Sequence, residues 1–144
     1  MAPVHLPWAA VRLADLLTQL AYGLSGGRVG GKQAGYSMLL LHTTGRKTGK
    51  TRTHTLLYVR DGEHFIVCGS NNGQSHHPAW YHNLQAQPHA RIQAGRASYE
   101  VVAERAGPEE YERLWNLLLK SRPQYNEYRK RTAREFPIVI LKPV

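Results

Sequence analysis

The sequence predicts an α+β protein, mainly β: a small barrel of about six strands with flanking helices. Past residue 35 the apolar period changes from helical to alternating, and six strand-like runs follow, separated by turn signals. Helix-like segments stand between these runs too irregularly for a repeating strand-helix-strand sheet, which favours an antiparallel barrel.

Before that change, from Pro7 to about Leu24, the residues Trp8, Val11, Leu13, Leu16, Leu17, Leu20 and Ala21 recur at three- and four-residue spacing, as in an amphipathic helix. Its polar face lacks the Lys and Arg of a membrane-surface helix, so the apolar face is expected to pack on the domain, with peripheral membrane contact as the alternative. Ser25 to Gly35 holds five glycines and reads as a flexible connection. Residues 1–35 therefore form a helical N-terminal part, and 36–144 the barrel.

The expected strands are Tyr36 to Thr44, Thr51 to Arg60, His64 to Gly69, Ala90 to Gln93, Ser98 to Glu104 and Pro137 to Leu141. Asp61-Gly62 is a hairpin signal between the second and third. A short helix is expected at Pro78 to Gln85 and a longer one at Pro108 to Lys120, with early acids and apolar Tyr111, Leu114, Trp115 and Leu118. Another short helix fits Gln124 to Arg131.

The length of 144 residues suits one core. Nineteen Lys and Arg against ten Asp and Glu give a formal charge of +9, which favours an anionic partner: nucleic acid, an acidic membrane surface or a phosphorylated small molecule. The single Cys68 excludes an intramolecular disulfide, argues against a Cys-based metal site and suits a reducing, cytoplasmic compartment. Arg12 and Asp15 interrupt the N-terminal apolar stretch, so neither an export signal nor a transmembrane helix is read.

Three clusters can carry chemistry. Thr44 to Arg52 (TGRKTGKTR) is a glycine-punctuated turn with four cations between two strands. It is no P-loop, because Thr44 stands where the first glycine belongs and a strand follows instead of a helix. Thr44 and Thr48 still offer hydroxyls, and Arg46, Lys47 and Arg52 offer donors to phosphate or carboxylate oxygens, unless the turn is only a solvated basic hairpin.

The second cluster, Cys68-Gly69-Ser70-Asn71-Asn72-Gly73, ends an apolar strand in small and hydrogen-bonding residues that let a flat ligand approach the backbone. It leads into Ala79-Trp80-Tyr81-His82-Asn83, where Trp80 covers a ring or fills the core, the core being the plainer reading. His76, His77 and His82 have neither Cys partners nor HExxH spacing, so no metal site is assigned. Third, Tyr125 and Tyr128 share one helical face, where phenols either line a pocket and donate protons or simply pack.

In this order, LLLHTTGRKTGKTRTHTLLYVRDG, FIVCGSNNG, PAWYHNLQAQPHARIQ and YNEYRKRTAREFPIVILKP resemble the deazaflavin (F420)-dependent nitroreductase family, over about three quarters of the chain from Leu39 onward. The resemblance implies a split β-barrel, FMN-binding-like fold and coenzyme F420, whose phosphate and glutamate tail need a cationic groove. It places Arg46, Lys47 and Arg52, with Thr48 on the same turn, near the phosphate and tail. Thr55, Leu56 and Leu57 fall at the ring, Cys68, Gly69, Ser70 and Asn71 at its polar edge, and Ala79, Trp80, Tyr81 and Asn83 on the helix beside it. Tyr125 and Tyr128 match the acceptor pocket. Leu57 and Arg122 stand where relatives carry Tyr, and Asn71 where a Lys occurs.

The function implied is hydride transfer from reduced F420 to a quinone-like or nitro-bearing acceptor, with Ser70, Tyr125 or a water supplying the proton and Tyr128 beside them. The alternatives are an FMN-binding split-barrel reductase, a non-catalytic nucleic-acid or anionic-lipid module and a deazaflavin carrier. Nucleic acid is the weaker partner, because the strands lack an aromatic stacking ladder. A cytoplasmic protein, peripheral at the inner face of a membrane where quinones reside, is the corresponding location.

Overall fold

The computed structural model describes residues 8–33 and 36–144. Pro7 and Gly35, where the expected helix begins and the glycine-rich connection ends, lie outside the described residues. The elements in chain order are α1 (Trp8–Ser25), β1 (Lys32–Gln33), β2 (Tyr36–Thr44), β3 (Thr51–Leu57), β4 (Val59–Asp61), β5 (His64–Cys68), α2 (Ala79–Ala86), β6 (His89–Ala94), β7 (Ala97–Arg105), α3 (Pro108–Ser121), α4 (Tyr125–Lys130) and β8 (Ile138–Pro143). A 3-10 turn at Asn71–Gly73 joins β5 to α2.

The described pairings are antiparallel and run β1-β2-β6-β7-β8-β5-β4, with β3 also on β2. Strands β3 and β4 pair with β2 and β5, far apart on this path, yet they adjoin in the chain at Tyr58. There the Tyr58 N–H donates to the Ser37 carbonyl at 3.1 Å. This corner brings the two ends of the sheet together and divides the expected run Thr51 to Arg60 into two strands. With the two-residue β1, it gives eight strands among the described residues where about six were expected.

Strands β5, from Phe65 to Cys68, and β8, from Ile138 to Leu141, are continuous apolar runs because both their faces are covered. Phe65, Val67, Val139 and Leu141 pack in one cluster with Leu39, Leu41, Ile92 and Val101. Their neighbours Ile66, Cys68, Ile138 and Ile140 turn the other way, beneath Tyr111, Leu114, Trp115 and Leu118 of α3. Register seals the two faces by pairing Phe65 with Leu141 and Val67 with Val139. Each large aliphatic side chain so buried contributes about 1.5–3 kcal/mol. Helix α3 begins with Pro108, Glu109 and Glu110 and ends near Lys120, charges that oppose its dipole.

Helix α1 corrects the expectation that its apolar face packs. Leu13, Leu16, Leu17, Leu20 and Leu24 are each more than half exposed, whereas Tyr22 is fully buried. Leu13 and Tyr22 are nine residues apart, which at roughly 100° per residue sets them on opposite sides of the helix. Hydrogen bonding decides the orientation: the Tyr22 hydroxyl reaches the Met38 and Gln93 carbonyls at 2.9 and 3.1 Å and accepts the Gly95 N–H at 2.8 Å. The glycine-rich connection is likewise bonded to its surroundings, through Gly27 N–H to Tyr22 O and Met38 N–H to Gly31 O.

Candidate active site

A cavity of about 1400 Å³ opens between α1, β3, the end of β5, α2 and the start of α4. It exceeds the roughly 300–1,000 Å³ of an ordinary small-ligand pocket and has room for two ligands side by side. One end is cationic and the other phenolic.

The cationic end is the turn between β2 and β3, whose paired ends are Thr44 and Thr51. Gly45 N–H donates to Lys50 O and Gly49 N–H to Gly45 O, both at 2.8 Å, and Gly49 supplies the left-handed residue the turn requires. The Thr48 hydroxyl accepts from Lys50 N–H at 3.2 Å and Arg52 Nη2 at 3.5 Å, so it orders the turn. Arg46 and Arg52 line the cavity, while Lys47 and Thr48 sit exposed on the flank, outside its wall. Asn83 is buried behind them: its Oδ1 accepts the Arg46 N–H at 3.1 Å and its Nδ2 donates to Thr43 Oγ1 at 3.1 Å. It therefore fixes the turn to α2 without lining the cavity.

Thr55, Leu56 and Leu57 form the wall beyond the arginines, faced by Ala79 and Trp80 of α2. Trp80 is at once core and wall, being buried against Leu84 and Tyr81 yet presenting part of its surface to the cavity. Tyr81 turns away, its hydroxyl accepting from Arg105 Nη1 at 3.0 Å and Gln85 Nε2 at 3.2 Å.

Cys68, Ser70 and Asn71 line the next part of the wall. Burial pushes the Cys68 thiol up to about 12, so it remains protonated and is no nucleophile. Gly69 lies outside the wall. A Cβ there would fall 2.7 Å from the Pro137 ring, so its smallness admits that proline and not the flat ligand suggested by the sequence. Asn71 and Asn72 both have left-handed backbones, at φ 48° and 55°, a conformation that costs about 1–3 kcal/mol per residue and concentrates at functional sites.

Arg131 Nη1 donates to the Asn72 carbonyl at 3.1 Å, and the backbone on either side of the strained pair is held by Arg134, which no sequence pattern marks. Arg134 donates to the carbonyls of Gly69, Ser70 and Gln74 at 2.9–3.2 Å and to His77 Nδ1 at 2.7 Å. Because a guanidinium only donates, His77 Nδ1 must accept and the ring is neutral. Burial first, and Arg134 second, hold His77 below the usual imidazole range.

Tyr125 closes the phenolic end, and burial raises its ionisation well above the ordinary phenol range, so it keeps its proton as a donor. Tyr128 stands behind the wall with its ring 6.2 Å from that of Tyr125, and its hydroxyl accepts from Arg122 Nη2 at 2.8 Å. The opposite wall was missed in the sequence: Arg12, Leu13, Asp15, Leu16 and Gln19 of α1 line it, with Gln19 Nε2 bonded to Thr53 O at 3.0 Å. His54 lies in the wall near them with an unpartnered, buried Nδ1. No cluster of three His, Cys, Asp or Glu able to hold a metal ion occurs among the described residues.

The F420H(2)-dependent quinone reductase family model matches residues 17–143. The chain belongs to this family. An F420H(2)-dependent quinone reductase of Mycobacterium tuberculosis is 36% identical over 140 residues, covering 95% of this chain and 92% of that protein. Among solved structures, an F420-H2 dependent reductase (FDR-A) superposes with a TM-score of 0.68 at 33% identity, covering 73% of this chain and 93% of that one. A structure described as a domain-swapped dimer gives 0.72 at 29% identity, over 94% of this chain and 97% of that one. The split-barrel fold agrees with the first of these.

The cofactor that gives the F420H(2)-dependent quinone reductase family its name fits the residues present. Arg46 and Arg52, flanked by Lys47 and Lys50, offer more cations than one terminal phosphate requires, which favours the long acidic tail of F420 over FMN. Leu56, Leu57 and Trp80 offer an apolar surface for a ring.

Proposed function

We propose that this chain, as a member of the family an F420-dependent quinone reductase, carries out its reaction in the cavity between α1 and the barrel. Arg46 and Arg52 hold the phosphate and tail of the cofactor, with Lys47 adding charge from the flank and Thr48 and Asn83 fixing the turn. Thr55, Leu56, Leu57, Ala79 and Trp80 flank the ring, and Cys68, Ser70 and Asn71 form its polar edge, the backbone of Gly69 supporting that edge from behind. When bound, reduced F420 supplies the hydride.

The other tasks belong to the chain. The wall orients two planar molecules together and excludes water from between them. Ser70 and the protonated Tyr125 supply hydrogen bonds and the proton at the acceptor oxygen, with Tyr128 holding Tyr125 from behind. Nitro compounds are accepted on the same terms, as planar electrophiles.

The observation that carries this reading is a single large cavity with paired arginines at one end and a buried phenol at the other. Equilibrium titration with oxidised F420 tests it. Wild-type protein is expected to bind, and Arg46→Ala to bind about tenfold or more weakly through loss of a charge-assisted contact. Equal affinity in the two proteins refutes the placement of the tail.

Residues 36–144 serve as the cofactor-binding part and residues 1–35 as the N-terminal part, whose helix α1 covers the cavity and meets a membrane peripherally, on the inner side, with its outer face. Support comes from the exposed leucine stripe of α1 and the formal charge of +9. No described helix is long and apolar enough to cross a membrane. Co-sedimentation with phosphatidylglycerol vesicles is expected for the wild type and lost when Leu17, Leu20 and Leu24, which are exposed and lie outside the cavity wall, become Ser. Vesicle binding that survives these changes, or a stripe buried in a stable dimer by size-exclusion chromatography, overturns the membrane assignment.

A further inference from the structure

The phenolic end of the cavity contains a cation to which the reaction above gives no task. Arg122 follows the last turn of α3 as its C-cap and lines the cavity beside Tyr125. A cation at a helix C-terminus ordinarily turns back onto the last carbonyls. Arg122 reaches instead among three tyrosines, its guanidinium carbon 5.6 Å from the ring centre of Tyr36, 5.7 Å from Tyr125 and 5.5 Å from Tyr128.

Two bonds fix the guanidinium: Nη2 donates to the Tyr128 hydroxyl at 2.8 Å and Nε to Gln124 Oε1 at 3.1 Å. Both acceptors are neutral, and among the described residues every ion pair involves some other cation. The charge is therefore not compensated by a carboxylate, and further N–H donors stay available on a planar fork suited to oxygen. A preset cation of this kind in a partly desolvated wall is complementary to an oxyanion.

We propose that Arg122 forms an oxyanion subsite for planar phenolate-type anions, and that it binds the hydroquinone monoanion produced when a quinone accepts hydride. The subsite deepens the quinone-reductase reading and, in its second half, rests on it. Hydride brings two electrons and one hydrogen nucleus to the neutral quinone, which becomes the hydroquinone monoanion while the cofactor is oxidised by two electrons. One proton from Tyr125 or water then completes the hydroquinone, a proton borrowed from Tyr125 being returned by solvent. Arg122 gives up no proton at any stage, because a guanidinium stays charged. Its contribution is to hold the negative oxygen in place until protonation.

The test uses 2-hydroxy-1,4-naphthoquinone, ionised at neutral pH, as a stable stand-in for the monoanion, and neutral 2-methyl-1,4-naphthoquinone as its control. Both are titrated into the cofactor-free full-length protein while tryptophan fluorescence is followed. Arg122→Gln is expected to weaken binding of the anion about tenfold or more and to leave the neutral quinone within about twofold of wild type. Arg122→Lys should recover part of the loss, since it keeps charge but not the planar fork. Equal weakening of both ligands, or of neither, overturns the subsite.

A second arm needs no variant: in wild-type protein, binding of the hydroxyquinone must weaken as pH falls through that ligand's own ionisation. Binding that ignores the ligand's charge overturns the proposal even if Arg122→Gln does not fold. Because these titrations contain no cofactor, failure to bind F420 would remove the proposed function and leave the anion preference to be judged separately. In loaded enzyme, Arg122→Gln should lower kcat for 2-methyl-1,4-naphthoquinone more than it raises KM.

Discussion

Arg46 and Lys47 are neighbours in sequence and indistinguishable by composition, yet only Arg46 lines the cavity. The hairpin decides this, since the Arg46 N–H is tied to Asn83 while Lys47 sits on the exposed flank. Lys47→Ala is therefore expected to weaken F420 binding less than Arg46→Ala, and Asn83→Ala to weaken it without removing any charge. A larger loss in the lysine variant, measured by the same cofactor titration, would place the acidic tail on the outer flank. Tyr125→Phe is expected to slow acceptor reduction roughly 10²–10⁴-fold if the phenol is the proton donor, with cofactor affinity retained. A reduction rate equal to wild type in single-turnover mixing would remove Tyr125 from that role.

Ser70 and Tyr125 were legible in the sequence because each belongs to a short block with its own chemistry. Arg134 was not, because its partners Gly69 and His77 lie 65 and 57 residues upstream and no local pattern joins them. Gly69 was legible as a position needing smallness, but the neighbour requiring it, Pro137, belongs to another strand connection.

Among the elements, the segment from Gly69 to His77 is bent around Arg134, and His77 must stay neutral to accept from it. A lowered folded-state value means that this contribution is present above the unfolded imidazole value of about 6.5 and is lost as pH falls through the folded value. Acidification to below the ordinary imidazole range should therefore loosen the segment carrying Ser70, read as faster amide exchange at residues 70–74. The change should be absent in His77→Gln, whose side-chain oxygen accepts at every pH. Exchange that rises equally in both proteins would show that His77 is not the sensor.

Helix α1 was legible in extent but not in orientation. Periodicity identifies an apolar face, whereas the hydroxyl of Tyr22 and the amide of Gln19 determine which face meets the barrel. The division at Tyr58 was hidden for a related reason, since a closing corner is set by the two partners β2 and β5, far apart in sequence.

For the whole molecule, barrel and helix α3 share β5 and β8, and Trp115 lies at the centre of the second core cluster. Trp115→Ala should cost about 3–5 kcal/mol, measured by urea unfolding. Burial, foremost, raises the ionisation of Tyr111 and Tyr125 above the ordinary phenol range. Their contribution to stability is complete below about pH 10 and falls above it by about 1.4 kcal/mol per pH unit for each group. A melting temperature level from neutral pH to about 9 and falling steeply beyond it is expected, with a shallower fall in Tyr111→Phe.

The fold class was legible because alternation, turn signals and apolar runs are local, and the family because four separate blocks agree. The cavity was not, since it lies between α1 and the barrel and is made by their docking.

On this reading the cavity exists for hydride transfer from F420 to a quinone. The most direct test is anaerobic mixing of the purified protein and reduced F420 with a menaquinone analogue while the deazaflavin absorbance is followed. Reoxidation that requires both protein and quinone, and slows markedly in Arg46→Ala at limiting cofactor, is the predicted result; reduced F420 that is not bound, or is bound and never reoxidised by the quinone, would contradict it.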